Sequence, residues 1–162
     1  MATKDLSAYD INSVPSAENM KFGIVVAEWN LQITGALANG AVETLKKHGA
    51  TDSNIKVKYV PGTFELPLGG QFFAELDNVD AVILLGCVIQ GETRHFDYIC
   101  EGVTQGTKDL NLKYNKPFIF GVLTTENEQQ ALDRAGGIHG NKGDEAAVTA
   151  IKMVDLQQSF NE

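Results

Sequence analysis

Four apolar segments punctuate the chain, and the stretches between them carry hydrophobic residues at helical spacing. Phe22–Ala27 (FGIVVA) is continuously apolar, the pattern of a strand covered on both faces. Ile55–Val60 (IKVKYV) alternates polar and apolar positions, which predicts a half-exposed edge strand. Residues 81–85 (AVILL) are the most apolar and predict a central strand. A fourth strand is predicted over 118–122 (FIFGV), opened by Pro117 at a position a strand start tolerates. Ile33, Leu37, Ala41 and Leu45 recur at every fourth residue, with Gly49 after His48 as a stop signal. A second helix is predicted over 64–76, its Pro67 acceptable only in a first turn. A third runs from about Arg94 to Leu112. Thr125 and Glu128 match a capping box before a short fourth helix that ends at Arg134. Ala147, Ile151 and Val154 mark the inner face of a long last helix.

Strands alternating with helices in this way predict a parallel sheet with helices on both faces and right-handed crossovers. With the first strand inside and the second at an edge, the simplest order is 2-1-3-4. That is a flavodoxin-like, three-layer α/β sandwich. Its ligand crevice lies beyond the carboxyl ends of strands one and three, where the winding reverses. Two loops fall there, residues 28–30 and residues 86–95. Residues 21–162 read as one α/β domain. Residues 1–20 are left over as an arm, expected either to fray or to pair with a neighbouring subunit's sheet edge.

Charge and composition narrow the functions this fold could serve. The 162 residues suffice for one core, and 43% hydrophobic with 21% charged residues is ordinary globular usage. With 13 Lys and Arg against 21 Asp and Glu, the net charge is −8. Such a chain is a poor match for nucleic acid and for anionic membranes, so neither is expected as a partner. A phosphate-bearing substrate would need a local reversal of the field, by a helix N-terminus or a placed Arg. No apolar run approaches the roughly 18–20 residues that span a bilayer. The polar first twenty residues lack a signal core, so export is not expected. Cys87 and Cys100 read as reduced thiols of a cytoplasmic protein; their spacing fits neither a disulfide scaffold nor a metal site.

Several residues near the predicted crevice can carry chemistry. Gly91-Glu92-Thr93 precedes the third helix and offers backbone N–H groups, a hydroxyl and the positive end of the dipole. It is an anion seat or an ordinary cap in which Thr93 serves its own helix. His95, one step on, is placed to act as a general acid/base whose proton responds to a bound anion. His48 and His139 fit a helix end and a Gly-rich loop. Trp29, the one tryptophan, follows a buried strand, where it either stacks on a heteroaromatic ligand or packs in the core. Asn30 is a natural N-cap for the first helix. In residues 60–67 (VPGTFELP), Pro61-Gly62 suggests a tight turn using a positive φ at Gly62. Glu65 then stands in a first helical turn, favourable to the dipole or an acceptor for a polyol. Arg134 at a helix end can bind phosphate bidentately. Lys142 is either a second cation near the site or a solvated loop charge.

In combination these stretches resemble the lumazine synthase family of riboflavin biosynthesis. The matching segments are 22–30 (FGIVVAEWN), 60–67 (VPGTFELP), 86–98 (GCVIQGETRHFDY), 118–136 (FIFGVLTTENEQQALDRAG) and 140–147 (GNKGDEAA), in the family's order. The resemblance implies condensation of 5-amino-6-(D-ribitylamino)uracil with 3,4-dihydroxy-2-butanone 4-phosphate to 6,7-dimethyl-8-ribityllumazine, without cofactor or metal. It implies that His95 is catalytic and that Trp29 takes the ring-stacking position, with Asn30 beside it. Thr63, Phe64 and Glu65 would line the ribityl chain. Cys87, Val88 and Ile89 would present backbone groups to the pyrimidine, which Phe120 also contacts. Glu92 and Thr93 would hold the phosphate beside Arg134, with Lys142 nearby. It further implies a homo-oligomer, a pentamer with sites between subunits. The short loop 136–140 permits a 60-subunit shell. Two departures stand out. Gln90 replaces a common Lys or Arg, and Trp29 replaces a common Phe, offering a larger face on which riboflavin could stack.

Rival readings fare worse. A flavodoxin-like flavin carrier would want a Ser/Thr-rich phosphate loop after the first strand, where Glu28-Trp29-Asn30 stands. A receiver domain would want Asp where Gly86-Cys87 lies, and neither GxGxxG nor GxxxxGK[ST] occurs. A non-catalytic flavin-binding or shell-forming protein on the same fold is the alternative that remains, and it would not need His95, Glu65, Thr93 and Arg134 together.

Overall fold

The structure, a computed structural model, describes residues 5–161. Four parallel strands, β1 (Phe22–Ala27), β2 (Ile55–Val60), β3 (Ala81–Ile89) and β4 (Phe118–Thr125), form one sheet in the order β2-β1-β3-β4. The helices are α1 (Leu31–Lys47), α2 (Leu66–Leu76), α3 (His95–Tyr114), α4 (Glu128–Asp133) and α5 (Lys142–Ser159). A small antiparallel hairpin, β5 (Ala135–Gly137) and β6 (Gly140–Asn141), joins α4 to α5.

Alternation along the buried strands sorts the side chains into two cores. Ile24 and Val26 of β1 with Ile83 and Leu85 of β3 meet Ile33, Leu37, Ala41 and Leu45 of α1 and Ala147, Ile151 and Val154 of α5. Val25, Ala27, Val82 and Leu84 face the other way, onto Leu66 and Phe73 of α2 and Val103 and Leu110 of α3. Those are the three layers and the strand order that the hydrophobic pattern predicts. β2 is indeed the half-exposed edge, with Tyr59 turned out.

The differences lie at element ends. β3 runs four residues past Leu85 and β4 three past Val122, because the two strands keep pairing as far as Ile89 and Thr125. Thr125 is therefore the last strand residue, not a helix cap; its hydroxyl donates to the Asn127 carbonyl at 3.0 Å. Asn127 caps α4 instead, its side chain accepting the Gln130 N–H at 2.9 Å. The second helix begins at Leu66 after a 3-10 turn over Thr63–Glu65, which leaves Pro67 in the first turn.

Of the arm, residues 1–4 lie outside the described residues. Residues 5–20 are neither frayed nor part of this chain's sheet. Ala17 and Met20 are buried in the α1/α5 core. The Ala17 N–H donates to the His48 carbonyl at 2.8 Å. His48 closes α1 as C-cap and holds the arm a second time, its Nε2 lying 2.8 Å from the Tyr9 hydroxyl. Lys47 sits over the Tyr9 ring, 5.5 Å from its centre.

Burial, and then the Lys47 charge, push the His48 imidazole below its ordinary value of 6.5. A histidine held neutral in the fold destabilises it on protonation. Its contribution is intact above the unfolded value and lost as pH falls toward the depressed folded one. Hydrogen exchange at the Leu6 and Ala17 amides, corrected for intrinsic rates, is therefore expected to show easier opening near pH 5.5 than near pH 7.5. Equal opening at both would contradict the latch.

Candidate active site

Parallel strands end on one side, and here they end unevenly. The last pair between β1 and β3 is Val26 with Leu85, while β3 and β4 remain paired to Ile89 and Thr125. Residues 86–89 thus form a ledge whose β1-facing backbone groups have run out of strand partner. Asn30 fills part of the gap, its Nδ2 donating to the Cys87 carbonyl at 3.1 Å. The Thr63 hydroxyl lies 3.5 Å from the same carbonyl. Gly86 leaves room for this approach: a β-carbon there would fall 2.6 Å from Thr63 Oγ1 and 2.8 Å from a Leu66 methyl.

Asn30 holds φ 61° and ψ 43°, the left-handed region that Asn tolerates better than most residues. It stands at the N-cap position expected of it, but its side chain does not cap. The main-chain carbonyl accepts from Ile33 and Thr34 at 2.9 and 3.0 Å, which frees the amide for β3.

The loops after β1 and β2 are bonded to each other. Glu28 donates to the Val60 carbonyl at 2.8 Å and Trp29 to the Pro61 carbonyl at 3.0 Å. This lays the indole across Gly62, where a β-carbon would meet Trp29 Cε3 at 2.5 Å and Glu65 Oε2 at 3.2 Å. Gly62 is extended, at φ −138° and ψ 178°, so the expected positive-φ turn does not form. The position needs glycine for space and not for torsion. Trp29 is 68% exposed, which answers the core-packing reading: one face is braced and the rest is open. Glu65 accepts the Gly62 N–H through Oε2 at 3.1 Å and, as a carboxylate, retains capacity for further donors. Phe64, 56% exposed, rests against α3 at Gly102. Trp29, Asn30, Thr63, Glu65 and Cys87 are therefore brought together.

Burial, with a smaller contribution from the nearby Glu128 carboxylate, pushes the Cys87 thiol up to about 11. It is protonated at neutral pH and unsuited to nucleophilic attack. What Cys87, Val88 and Ile89 offer is main chain. Glu128, at the start of α4, went unread in the sequence as a neighbour of this ledge. A Glu in a first helical turn carries no signal beyond a favourable dipole.

The exposed Gln90–Arg94 turn leads into α3, tied to β4 by the Gln90 N–H, which donates to the Thr125 carbonyl at 2.8 Å. Arg94 and not Thr93 is the N-cap of α3, and its side chain does not cap; Thr93 stands one residue earlier, its hydroxyl accepting the His95 N–H at 3.3 Å. Its hydroxyl proton stays available. Glu92 and His95 are exposed at this N-terminus, at the same strand-end side of the sheet.

Three expected site residues stand apart within one chain. Phe120 is level with Leu84 on the edge strand and lines an open groove of about 350 Å³ with Thr107 and Leu112. Arg134 follows α4 as its C-cap, and its Nη1 donates to the Gln130 carbonyl at 2.9 Å. Lys142 pairs with Glu145 in the first turn of α5, the arrangement of a helix-surface ion pair.

A flavodoxin-like sheet whose overhanging strand end meets an open aromatic plate and an acid defines an α/β protein with an exposed ledge at the carboxyl ends of its strands. Comparison with known sequences makes that specific. Residues 19–158 match the profile of the 6,7-dimethyl-8-ribityllumazine synthase family. A 6,7-dimethyl-8-ribityllumazine synthase of Parabacteroides distasonis is 62% identical over 155 residues, covering 96% of this chain and 97% of that one. The synthases of Cytophaga hutchinsonii, 62% identical over 153 residues (94% and 96% covered), and Phocaeicola vulgatus, 58% over 159 (98% and 95%), are similar throughout. The chain belongs to the 6,7-dimethyl-8-ribityllumazine synthase family, enzymes of the transferase class in riboflavin biosynthesis.

Proposed function

We propose that the ledge condenses 5-amino-6-(D-ribitylamino)uracil with 3,4-dihydroxy-2-butanone 4-phosphate to give 6,7-dimethyl-8-ribityllumazine, inorganic phosphate and two molecules of water. The observation that carries this reading is the junction at Gly62, where the exposed Trp29 plate and the Glu65 carboxylate meet beside the Asn30–Cys87 contact. The pyrimidine stacks on Trp29 and takes hydrogen bonds from the main chain of Cys87, Val88 and Ile89. Its ribityl hydroxyls reach Thr63, Phe64 and Glu65. The butanone phosphate sits at Glu92-Thr93, where the N-terminus of α3 supplies positive potential despite the chain's net charge of −8.

The nucleophile is the substrate's own amine, so the protein supplies orientation and proton transfer. His95 moves the protons as the 5-amino group attacks the ketone and the first water leaves, as phosphate is eliminated, and as the ribityl-bearing amine closes the ring with loss of a second water. Arg134, Lys142 and Phe120, which stand apart from the ledge in one chain, act across subunit boundaries in a pentamer. The short 136–140 loop is compatible with sixty such chains in a shell, and sedimentation distinguishes the two sizes. Residues 21–162 make up the catalytic domain, in a cytoplasmic setting, and residues 1–20 an arm. Among the described residues, no helix is long and apolar enough to cross a membrane.

The test is absorbance. Folded protein given both substrates is expected to develop the lumazine chromophore, and either substrate alone to give none; no chromophore with both would contradict the proposal. Riboflavin bound without turnover would favour a flavin-binding protein on the same fold. Trp29, with most of its ring open, is also expected to lose fluorescence as riboflavin stacks on it. Emission unchanged by added riboflavin would remove that affinity.

A further inference from the structure

The β5–β6 hairpin is too small to hold its own shape. Its strands have three and two residues, its ladder pairs Ala135 with Asn141 and Gly137 with Gly140, and a register shift separates the two. An isolated two-stranded ribbon is marginal in water even at greater length. Arg134 immediately precedes this hairpin, and its carbonyl accepts the Lys142 N–H at 2.9 Å. The arginine is thus held from two sides, by α4, where its N–H donates to the Ala131 carbonyl at 3.1 Å, and by the hairpin, so what braces the hairpin from outside bears on where it stands.

The brace is the N-terminal arm. The Leu6 N–H donates to the His139 carbonyl at 2.7 Å. The Asn141 N–H donates to the Ser7 hydroxyl at 2.8 Å, across 134 positions of sequence. Ser7 is itself held in a turn, its N–H donating to Asp5 Oδ1 at 2.9 Å. Gly140, at φ +75°, lets the arm come this close: a β-carbon there would fall 2.7 Å from the Ser7 nitrogen. Asn141 passes the constraint on. Its Nδ2 donates to the Ala36 carbonyl of α1 at 3.0 Å and its Oδ1 accepts the Gly143 N–H of α5 at 2.8 Å. One residue is thus fixed by the arm, α1 and α5, opposite Ala135 on the strand that Arg134 opens.

We propose that Ser7, acting through Asn141, is a positioning residue that sets Arg134 for the phosphate-bearing substrate. This rests on the phosphate role given to Arg134 above. Losing the Ser7 hydroxyl leaves the Asn141 N–H without its acceptor and lets the hairpin relax. The cost falls on the phosphate substrate and not on the pyrimidine, which is bound by other loops.

The experiment is steady-state kinetics on the full chain with each substrate varied in turn, for Ser7→Ala, Ser7→Thr, Arg134→Ala and the Ser7→Ala/Arg134→Ala double variant. Ser7→Ala is expected to raise KM for the butanone phosphate roughly three- to tenfold, the worth of one hydrogen bond. Its kcat and its KM for the pyrimidine stay within about twofold of the parent. Ser7→Thr, which keeps the hydroxyl, restores the parent value. The double variant is expected to be no worse than Arg134→Ala, since both changes act through one group. An unchanged KM in Ser7→Ala, or effects that multiply with those of Arg134→Ala, would overturn the inference while leaving Arg134 in its role. An Arg134→Ala protein with an unaltered phosphate-substrate KM would overturn that role and this inference together. Sedimentation of Ser7→Ala is expected to match the parent; a changed assembly would assign the arm to subunit contacts instead and overturn the inference.

Discussion

His95→Ala is expected to lower kcat by about 10²- to 10⁴-fold, the range spanned by a positioned acid/base, without abolishing turnover. In the proposed site, Trp29, Glu65 and the β3 main chain hold the substrates by contacts that do not involve His95, and orientation alone is worth roughly 7–11 kcal/mol. Those contacts survive the substitution. His95 is exposed in the first turn of α3, outside both hydrophobic cores, so its removal leaves packing untouched. Rates measured alongside far-UV circular dichroism and pyrimidine binding check this. Complete loss of turnover with fold and binding intact would contradict the role, and so would an unaltered kcat.

Gly143→Ala is expected to destabilise the protein by about 3 kcal/mol or more. Two principles oppose each other here. Ala is a better helix former than Gly by about 1 kcal/mol, which alone would favour the substitution in α5. But α5 crosses α1 so closely that a β-carbon on Gly143 would lie 1.9 Å from the Leu37 carbonyl oxygen and 2.8 Å from its carbon. Both atoms are backbone of a buried helix and cannot swing aside. Overpacking wins. Urea unfolding at matched protein concentration gives the difference, and a midpoint equal to the parent's would refute the close crossing.

The layers of the fold were legible because burial writes itself into periodicity. The uninterrupted apolarity of Phe22–Ala27 and the alternation of Ile55–Val60 distinguished inner from edge strand, and from that contrast the sheet order followed. Strand ends were not legible. Gly86 was read as the first residue of a loop, yet it is a strand residue kept small by Thr63 and Leu66, neighbours that only the folded chain brings near. Thr125 and Asn127 are both good caps two residues apart, and the choice between them depends on how far β4 pairs with β3. The β5–β6 hairpin was missed altogether, since two or three residues show no period.

At the candidate site, the geometry changed the reasons for several residue types. Gly62 was read as a torsional need and is a steric one. Asn30 takes the N-cap position expected of it, but its side chain ties to Cys87 and does not cap. His48, set aside as a helix end, closes α1 and also grips the arm through Tyr9. Phe120 gave no signal beyond its place in a strand, and Arg134 none beyond a helix end, so the pattern of one chain did not link either to the ledge.

The most direct measurement is a crystal structure of the protein with 6,7-dimethyl-8-ribityllumazine bound. The predicted result is the ring system stacked on Trp29, bonded to the main chain at residues 87–89, with ribityl hydroxyls at Glu65. Ligand found instead in the cleft of about 500 Å³ between the ends of α3 and α5, among Asn115, Lys116, Met153 and Phe160, with the Trp29 face empty, would contradict it.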